Sequence, residues 1–429
     1  MIKARAFAGK HYAVLGLARS GLATVEALLA SGARVTAWDD KAEARAKAPD
    51  GVGLDDFVGG DLSQFDSIVV TPGLPLNRHP IAQRAKEADV EIIGDIELFA
   101  RARPELPPHK VVGITGTNGK STTTALVHHI LKTAGLPTEM GGNIGLPILA
   151  QDPLPQGGVY VLELSSYQID LTTSLDCDVA VLLNITPDHL DRYESFEAYA
   201  ASKVRLFEMQ SAGKIAVATA QARDWTDQLP HDPGITIVEA LAYSLEFDLA
   251  ERARWPTLQG PHNLQNVAVA TFVCAELGVA KDCRGDALRS YPGLPHRMER
   301  VREKNGILFV NDSKATNPTA TAPALAAFEK IRWICGGQAK TDNLDECAPH
   351  FGHVLKAYTI GEAGEMFASL LSPHMDVAEC VTLDQAVRAA ASEANAGDTV
   401  LLSPACASFD QFRDFEARGD AFRAAVGEL

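Results

Sequence analysis

Lys110-Val-Val-Gly113-Ile-Thr-Gly116-Thr-Asn-Gly119-Lys120-Ser121-Thr122 is an apolar run, then a glycine-rich turn, then a Lys-Ser-Thr opening. The apolar stretch Ala125–Leu131 follows and predicts a helix. Strand, glycine loop and helix in that order make a phosphate-binding loop. Glycines let backbone N–H groups turn toward phosphate oxygens, and the helix N-terminus adds positive potential. In such a loop Lys120 reaches the terminal phosphates, and the Ser121 hydroxyl helps hold Mg²⁺. Five residues separate Gly113 from Gly119, one more than the usual spacing, so the loop reads as a variant.

Working outward, strand and helix signals alternate in three blocks. Before the loop lie Tyr12–Gly16, Arg34–Trp38 and Ser67–Val70, with a helix pattern running through Leu28 and Leu29 to Gly32. After it come Val159–Leu164, Val179–Asn184 and Lys214–Ala218. The last block offers Ile307–Val310, Ile331–Cys335, Ala357–Ile360 and Thr399–Leu402. Arg101 to Pro108 is a Pro-rich candidate linker. This alternation predicts parallel α/β sheets, whose ligands bind beyond the carboxyl ends of the strands.

The 429 residues suggest about three domains. The expected division is 1–103, 104–298 and 299–429. Apolar residues at 46% and charged residues at 22% exclude a disordered or fibrous chain. A net charge of −16 argues against a nucleic-acid or anionic-membrane binder. Seven cysteines without a Cys-x-x-Cys pair read as reduced thiols of a cytoplasmic protein. No signal peptide and no membrane span are expected.

Several groups fall just after strands. Glu163 closes an apolar run, where a carboxylate is costly unless it meets a cation. Asp188-His189-Leu-Asp191-Arg192 gathers ionisable groups in one loop. Lys203 sits on a predicted helix over Phe196–Gln210, where spacing alone reads as a solvated face. Asn263 either caps the helix opening near Gly260 or, with Asn266, lies in a pocket. Gly16-Leu-Ala18-Arg-Ser-Gly21, with Asp39 after the next strand, resembles a dinucleotide fingerprint whose middle glycine is Ala18. Three polar loops close the last block: Asn311 to Asn317, Cys335 to Lys340 and Ser403 to Phe412. Cys406 reads as a small buried residue and not as a nucleophile.

Taken in order, the Gly113–Thr122 loop, Gly141-Gly-Asn-Ile-Gly145, Glu163-Leu-Ser-Ser, Asp188–Arg192, Pro295-His-Arg297, Asn311–Asn317 and Ser403-Pro-Ala-Cys-Ala-Ser408 resemble the Mur ligases of peptidoglycan synthesis. The resemblance covers essentially the whole chain and is weakest around 214–258. It implies a Rossmann-like N-terminal domain, a central P-loop-type ATPase domain and a Rossmann-like C-terminal domain. It also implies an ATP- and Mg²⁺-dependent amide-bond ligase. The ending Ser403-Pro-Ala-Cys-Ala-Ser408-Phe-Asp410-Gln-Phe412 most resembles the D-glutamate-adding members of the family, which implies phosphorylation of the carboxylate of UDP-N-acetylmuramoyl-L-alanine and transfer of the acyl group to D-glutamate.

By matched position the resemblance implies ATP contacts at Gly116, Thr117, Asn118, Gly119, Lys120, Ser121, Thr122, Asn263, Asn266, Arg297, Asp312 and Lys314. The UDP substrate falls to Arg19, Ser20, Asp39, Asp40, Lys41, Thr71, Pro72, Gly73, Asn143 and His189. D-glutamate falls to Thr316, Lys340, Ser408 and Phe415. Magnesium falls to Ser121, Glu163, His189 and Lys203, the last as a carbamate. Lys120, His189 and Lys203 are the expected catalytic groups. The chain is expected to act as a monomer whose second and third blocks close about Leu294–Arg300. Another Mur-type or folylpolyglutamate-type ligase is the close rival. An NAD-dependent oxidoreductase leaves the phosphate loop unexplained, and a nucleotide switch leaves the third block without a task.

Overall fold

The computed structural model describes residues 1–188, 191–226, 235–238, 249–258 and 261–429. Three α/β sheets follow one another along the chain. The first contains β1 (His11–Leu15), β2 (Arg34–Trp38), β3 (Gly53–Leu54), β4 (Ser67–Val70) and β5 (Ile92–Ile93). Its order, β3-β2-β1-β4-β5, is parallel throughout and is that of a dinucleotide-binding fold. The second contains β6 (His109–Thr115), β7 (Thr138–Gly142), β8 (Gly158–Glu163), β9 (Val179–Leu182), β10 (Ile215–Thr219) and β11 (Thr236–Val238). These run parallel in the order β11-β10-β9-β6-β8-β7. The third contains β12 (Glu299–Lys304), β13 (Ile307–Asn311), β14 (Ile331–Gly336), β15 (Val354–Ile360), β16 (Asp376–Val381) and β17 (Thr399–Leu402), ordered β12-β13-β17-β14-β15-β16. There only β12 pairs antiparallel.

Every residue of β1, β4, β8, β9 and β17 is buried. Helices cover both faces of a parallel sheet, so its inner strands read as unbroken apolar runs, and the sequence reading finds those strands. It misses edge strands. The two-residue β3 and β5 are too short to carry a pattern. The charged β12, Glu-Arg-Val-Arg-Glu-Lys, pairs on one side only. The expected linker at 101–108 starts inside the last turn of the helix Asp95–Ala102.

By contacts the chain divides into two compact units. One is Met1–Glu246 with Val267–Ala287; the other is Phe247–Asn266 with Leu288–Leu429. The first unit holds two sheets because one apolar cluster spans them, from Ile2, Phe7 and Val14 through Phe99 to Tyr160 and Leu182. Phe99 meets Tyr160 edge-to-face at 5.1 Å. Polar bonds reinforce this seam. Glu97, on the helix Asp95–Ala102, accepts the backbone N–H groups of Thr173 and Ser174, the Ser174 hydroxyl and the Arg101 guanidinium. In the second unit, separate apolar clusters flank the two faces of the third sheet, around Trp333 and around Tyr358.

Candidate active site

The loop after β6 turns at Gly116 (φ +152°) and Gly119 (φ +83°), and the helix Lys120–Thr133 begins at once. A Cβ on Gly116 would lie 2.9 Å from the Leu183 Cβ, so the close approach to the end of β9 requires glycine. Gly113 has a different task. It sits inside β6, where a Cβ would meet the Cys177 Sγ at 2.6 Å. The apparent extra residue in the loop spacing arises because Gly113 serves packing and the turn is made by Gly116 and Gly119.

Asn184 shapes the turn. Its Oδ1 accepts from Asn118 N at 2.8 Å, its Nδ2 donates to Asn118 O at 3.1 Å, and its carbonyl accepts from Thr117 N at 2.8 Å. Lys120 Nζ donates to the carbonyls of Gly116 (2.9 Å) and Thr117 (2.7 Å), so the charge sits at the mouth of the loop.

Lys203 is not on a solvated face. It belongs to the helix Phe196–Glu208, capped by Ser195, and is 2% exposed. Its Nζ donates to the same Gly116 carbonyl at 2.9 Å and lies 4.7 Å from the Tyr199 ring centroid. Burial, then the Lys120 charge, pushes its pKa well below the usual lysine value, with Asp188, Asp170 and Glu163 opposing. Helical periodicity hid this residue, because nothing in it says that the face carrying Lys203 lies under the loop.

Glu163 ends β8 and is 2% exposed. Asn143 Nδ2 donates to its Oε1 at 2.9 Å. The Gly141-Gly-Asn segment makes this contact possible: a Cβ on Gly142 (φ +86°) would lie 2.2 Å from the Glu163 carbonyl oxygen. Glu163 Oε2 is buried without a hydrogen-bond partner, as is Thr115 Oγ1 at the end of β6. A buried carboxylate oxygen left unpaired beside a phosphate-type loop fits a hard divalent cation. Ser121, 3% exposed, opens the adjoining helix. Among the described residues no group of three His, Cys, Asp or Glu side chains gathers as a metal cage. His189 lies outside the described residues.

In the first sheet, Gly16 (φ +97°) and Gly21 make the expected close turn: a Cβ on Gly21 would lie 1.9 Å from the Gly16 carbonyl oxygen. Asp39 is used structurally. Its carboxylate accepts Leu17 N at 2.7 Å and Lys41 N at 2.9 Å, tying the ends of β1 and β2 together. Arg19 donates to the Gly145 carbonyl at 2.9 Å. Ser20, Thr71 and Pro72 line a small cavity with Thr24 and Asp95, two residues the sequence reading passed over. Burial raises the Asp95 pKa to about 6. Asp40, Lys41 and Gly73 are at least partly exposed beside these turns.

In the second unit, Asn263 is not a cap. The helix starts at Pro261, and Asn266 Nδ2 donates to the buried Asn263 Oδ1 at 3.2 Å. Asp312 is buried; its carboxylate accepts the Ser403 hydroxyl and Met298 N, and burial pushes its pKa up to about 7 against the Arg297 charge. Lys314 Nζ lies 3.8 Å from the Phe415 ring centroid. Asn317 caps the helix Pro318–Ala326. Arg418, 1% exposed, donates to Ser313 Oγ and to the carbonyls of Ser313, Cys406 and Ala407. It thereby holds the loops after β13 and β17 together, and nothing in its sequence neighbourhood marked it. Ser408 is buried, Thr316 and Phe415 are half-buried, and Lys340 is exposed. Cys406 is fully buried and its thiol is pushed up to about 12, so it is no nucleophile.

Comparison with known proteins assigns this arrangement. Residues 10–94 match the Mur ligase MurD-like N-terminal domain, 114–246 the Mur ligase middle domain, and 296–406 the Mur ligase glutamate ligase domain. The chain is a member of the Mur ligase family. It is 61% identical to a UDP-N-acetylmuramoylalanine--D-glutamate ligase of Novosphingobium aromaticivorans, over 100% of this chain and 97% of that one. It is 56% identical to the ligase of the same name from Sphingopyxis alaskensis, over the full length of both. Among solved structures, the MurF ligase of Thermotoga maritima in complex with ADP shares the fold at a TM-score of 0.62 and 18% identity, covering 98% of this chain and 96% of that one. The UDP-N-acetylmuramate-alanine ligase of the same organism does so at 0.60 and 16%, covering 98% and 99%. This Mur ligase thus has N-terminal, middle and C-terminal domains of α/β architecture. Among its described residues no helix is long and apolar enough to cross a membrane.

Proposed function

We propose that this Mur ligase joins D-glutamate to UDP-N-acetylmuramoyl-L-alanine at the expense of ATP, through an acyl phosphate, in peptidoglycan precursor synthesis. The observation that carries the reading is its full-length identity of 61% with a ligase of that name. The domains are read as 1–103 for the UDP substrate, 104–298 for ATP and 299–429 for the amino acid. The enzyme works as a cytoplasmic monomer on small molecules.

Two anions must meet in this reaction, a substrate carboxylate and the γ-phosphate. Lys120 lowers that repulsion and stabilises the charge that develops on the transferred phosphoryl group. The loop over residues 116–122 cradles the other phosphate oxygens, with the N–H groups at the start of the helix Lys120–Thr133 directed at them. Ser121, Glu163, His189 and Lys203 hold Mg²⁺, which when bound supplies Lewis-acid polarisation of the phosphate. The buried Lys203 amine, in its unprotonated form, adds CO₂: the N–C bond forms as one C–O π bond opens, one N–H proton passes to solvent, and the amine becomes an anionic carbamate. The lowered pKa of Lys203 supports this step. Asn263, Asn266, Arg297, Asp312 and Lys314 bind the rest of ATP. Arg19, Ser20, Asp39, Asp40, Lys41, Thr71, Pro72, Gly73 and Asn143 hold the sugar nucleotide, Asp39 by shaping its loop. Thr316, Lys340, Ser408 and Phe415 orient D-glutamate so that its amine attacks the acyl phosphate and inorganic phosphate leaves.

Phosphate release from Mg²⁺, ATP and UDP-N-acetylmuramoyl-L-alanine, with D-glutamate, L-glutamate or no amino acid, tests the reading. Release that requires both the sugar nucleotide and D-glutamate is expected. Release with another amino acid instead points to a sister ligase.

A further inference from the structure

The loop after β9 and the loop after β4 belong to different sheets of the same compact unit and are latched to each other. Arg192 Nη1 donates to the Gly73 carbonyl at 3.2 Å, and its Nη2 donates to the Leu74 carbonyl at 2.7 Å. In return, Asn77 Nδ2 (3.0 Å) and Arg78 Nη2 (3.2 Å) donate to the Asp191 carbonyl. The Arg192 guanidinium carbon lies 4.3 Å from the Tyr167 ring centroid, and Tyr167 stacks on Tyr193 at 6.1 Å. The Tyr193 hydroxyl donates to Asp170 at 2.7 Å. A planar fork bonded to two carbonyls and stacked on a ring fixes position more tightly than a lysine could.

The two loops have different chemistry. Thr71 and Pro72 line the cavity of the first sheet, while Asp188 bears electrostatically on the buried Lys203. We infer that Arg192 is a positioning residue: it sets where the substrate held by the Thr71–Leu74 loop lies relative to Lys120 and Lys203. This inference rests on the reaction proposed above.

Arg192→Ala is expected to raise KM for UDP-N-acetylmuramoyl-L-alanine and to lower kcat, each by about tenfold or more, the usual effect of losing charge-assisted hydrogen bonds. KM for D-glutamate should stay within about twofold of wild type, the ordinary scatter of such constants. Arg192→Lys keeps the charge and should recover part of the loss. Arg78→Ala removes a bond from the opposite side of the latch, so the pair should be non-additive in a double-mutant cycle. A fall in kcat with both KM values unchanged describes a loss of active protein and overturns the inference. So does strict additivity of the two substitutions. Calorimetric binding of UDP-N-acetylmuramoyl-L-alanine separates the two claims. Wild type that binds it but shows no D-glutamate-dependent release defeats the reaction alone. Wild type and Arg192→Ala binding it equally tightly defeats the latch.

Discussion

Two lysines share one carbonyl. Lys120 and Lys203 both donate to Gly116, one at the mouth of the loop and one beneath it. Burial, and then the neighbouring Lys120 charge, hold the Lys203 pKa well below the usual lysine value. Lys203→Ala should lower turnover by about a hundredfold to a thousandfold, as loss of one preorganised electrostatic group does. In ¹³C-bicarbonate buffer, the wild type should show a carbamate carbon signal that Lys203→Ala lacks. An identical spectrum from both proteins would count against carbamate formation. The resemblance placed Lys203 in the metal set, but helix spacing alone left it on a solvated face. Burial of a polar side chain depends on what the next element brings over it, and that is not a property of its own helix.

At the scale of elements, the helix Asp95–Ala102 joins the first two sheets. Its Glu97 is 1% exposed and receives four donors. Burial alone would raise its pKa, yet the hydrogen bonds outweigh this and hold it below the usual glutamate value. Glu97→Gln turns an acceptor of charged and neutral donors into an amide that repels part of the set. It should cost about 2–4 kcal/mol in urea unfolding, the range for breaking a buried charged network. A loss under about 0.5 kcal/mol, typical of surface changes, would show that the apolar seam suffices. The helix stands within the Pro-rich segment's approach, which the sequence presents as a boundary. Its role as a joint follows from which loop it meets.

For the whole molecule, two compact units predict two unfolding transitions that can be moved separately. Asp95 lies in the first unit and Asp312 in the second, with pKa values raised by burial to about 6 and about 7 from 3.8. Between pH 4 and those values each of these two carboxyls holds more protons folded than unfolded. Each therefore lowers stability as pH rises through its own window, while His11, His109, His128 and His129, whose pKa values burial lowers, act the other way in the first unit. Asp95→Asn should be neutral near pH 4 and stabilising at pH 8, by up to about 3 kcal/mol, and only in the transition of the first unit. Calorimetric scans at both pH values check this. An equal effect at both would mean that the carboxyl is not the titrating group.

The sequence by itself determined the inner strands, the phosphate loop, the three-block order and the family resemblance. These are local signals: apolar runs buried on both faces, glycines at tight turns, and residues close together in the chain. Tertiary structure decided the rest. It moved Gly113 from loop to packing, set Asp39 to shaping a loop, buried Lys203, left Glu163 Oε2 unpaired, gave Arg192 its partners across the two loops, and brought in Asn184, Asp95 and Arg418. Each of those outcomes depends on contacts between residues far apart in the chain. No periodicity records such a contact; the packing of separate elements creates it.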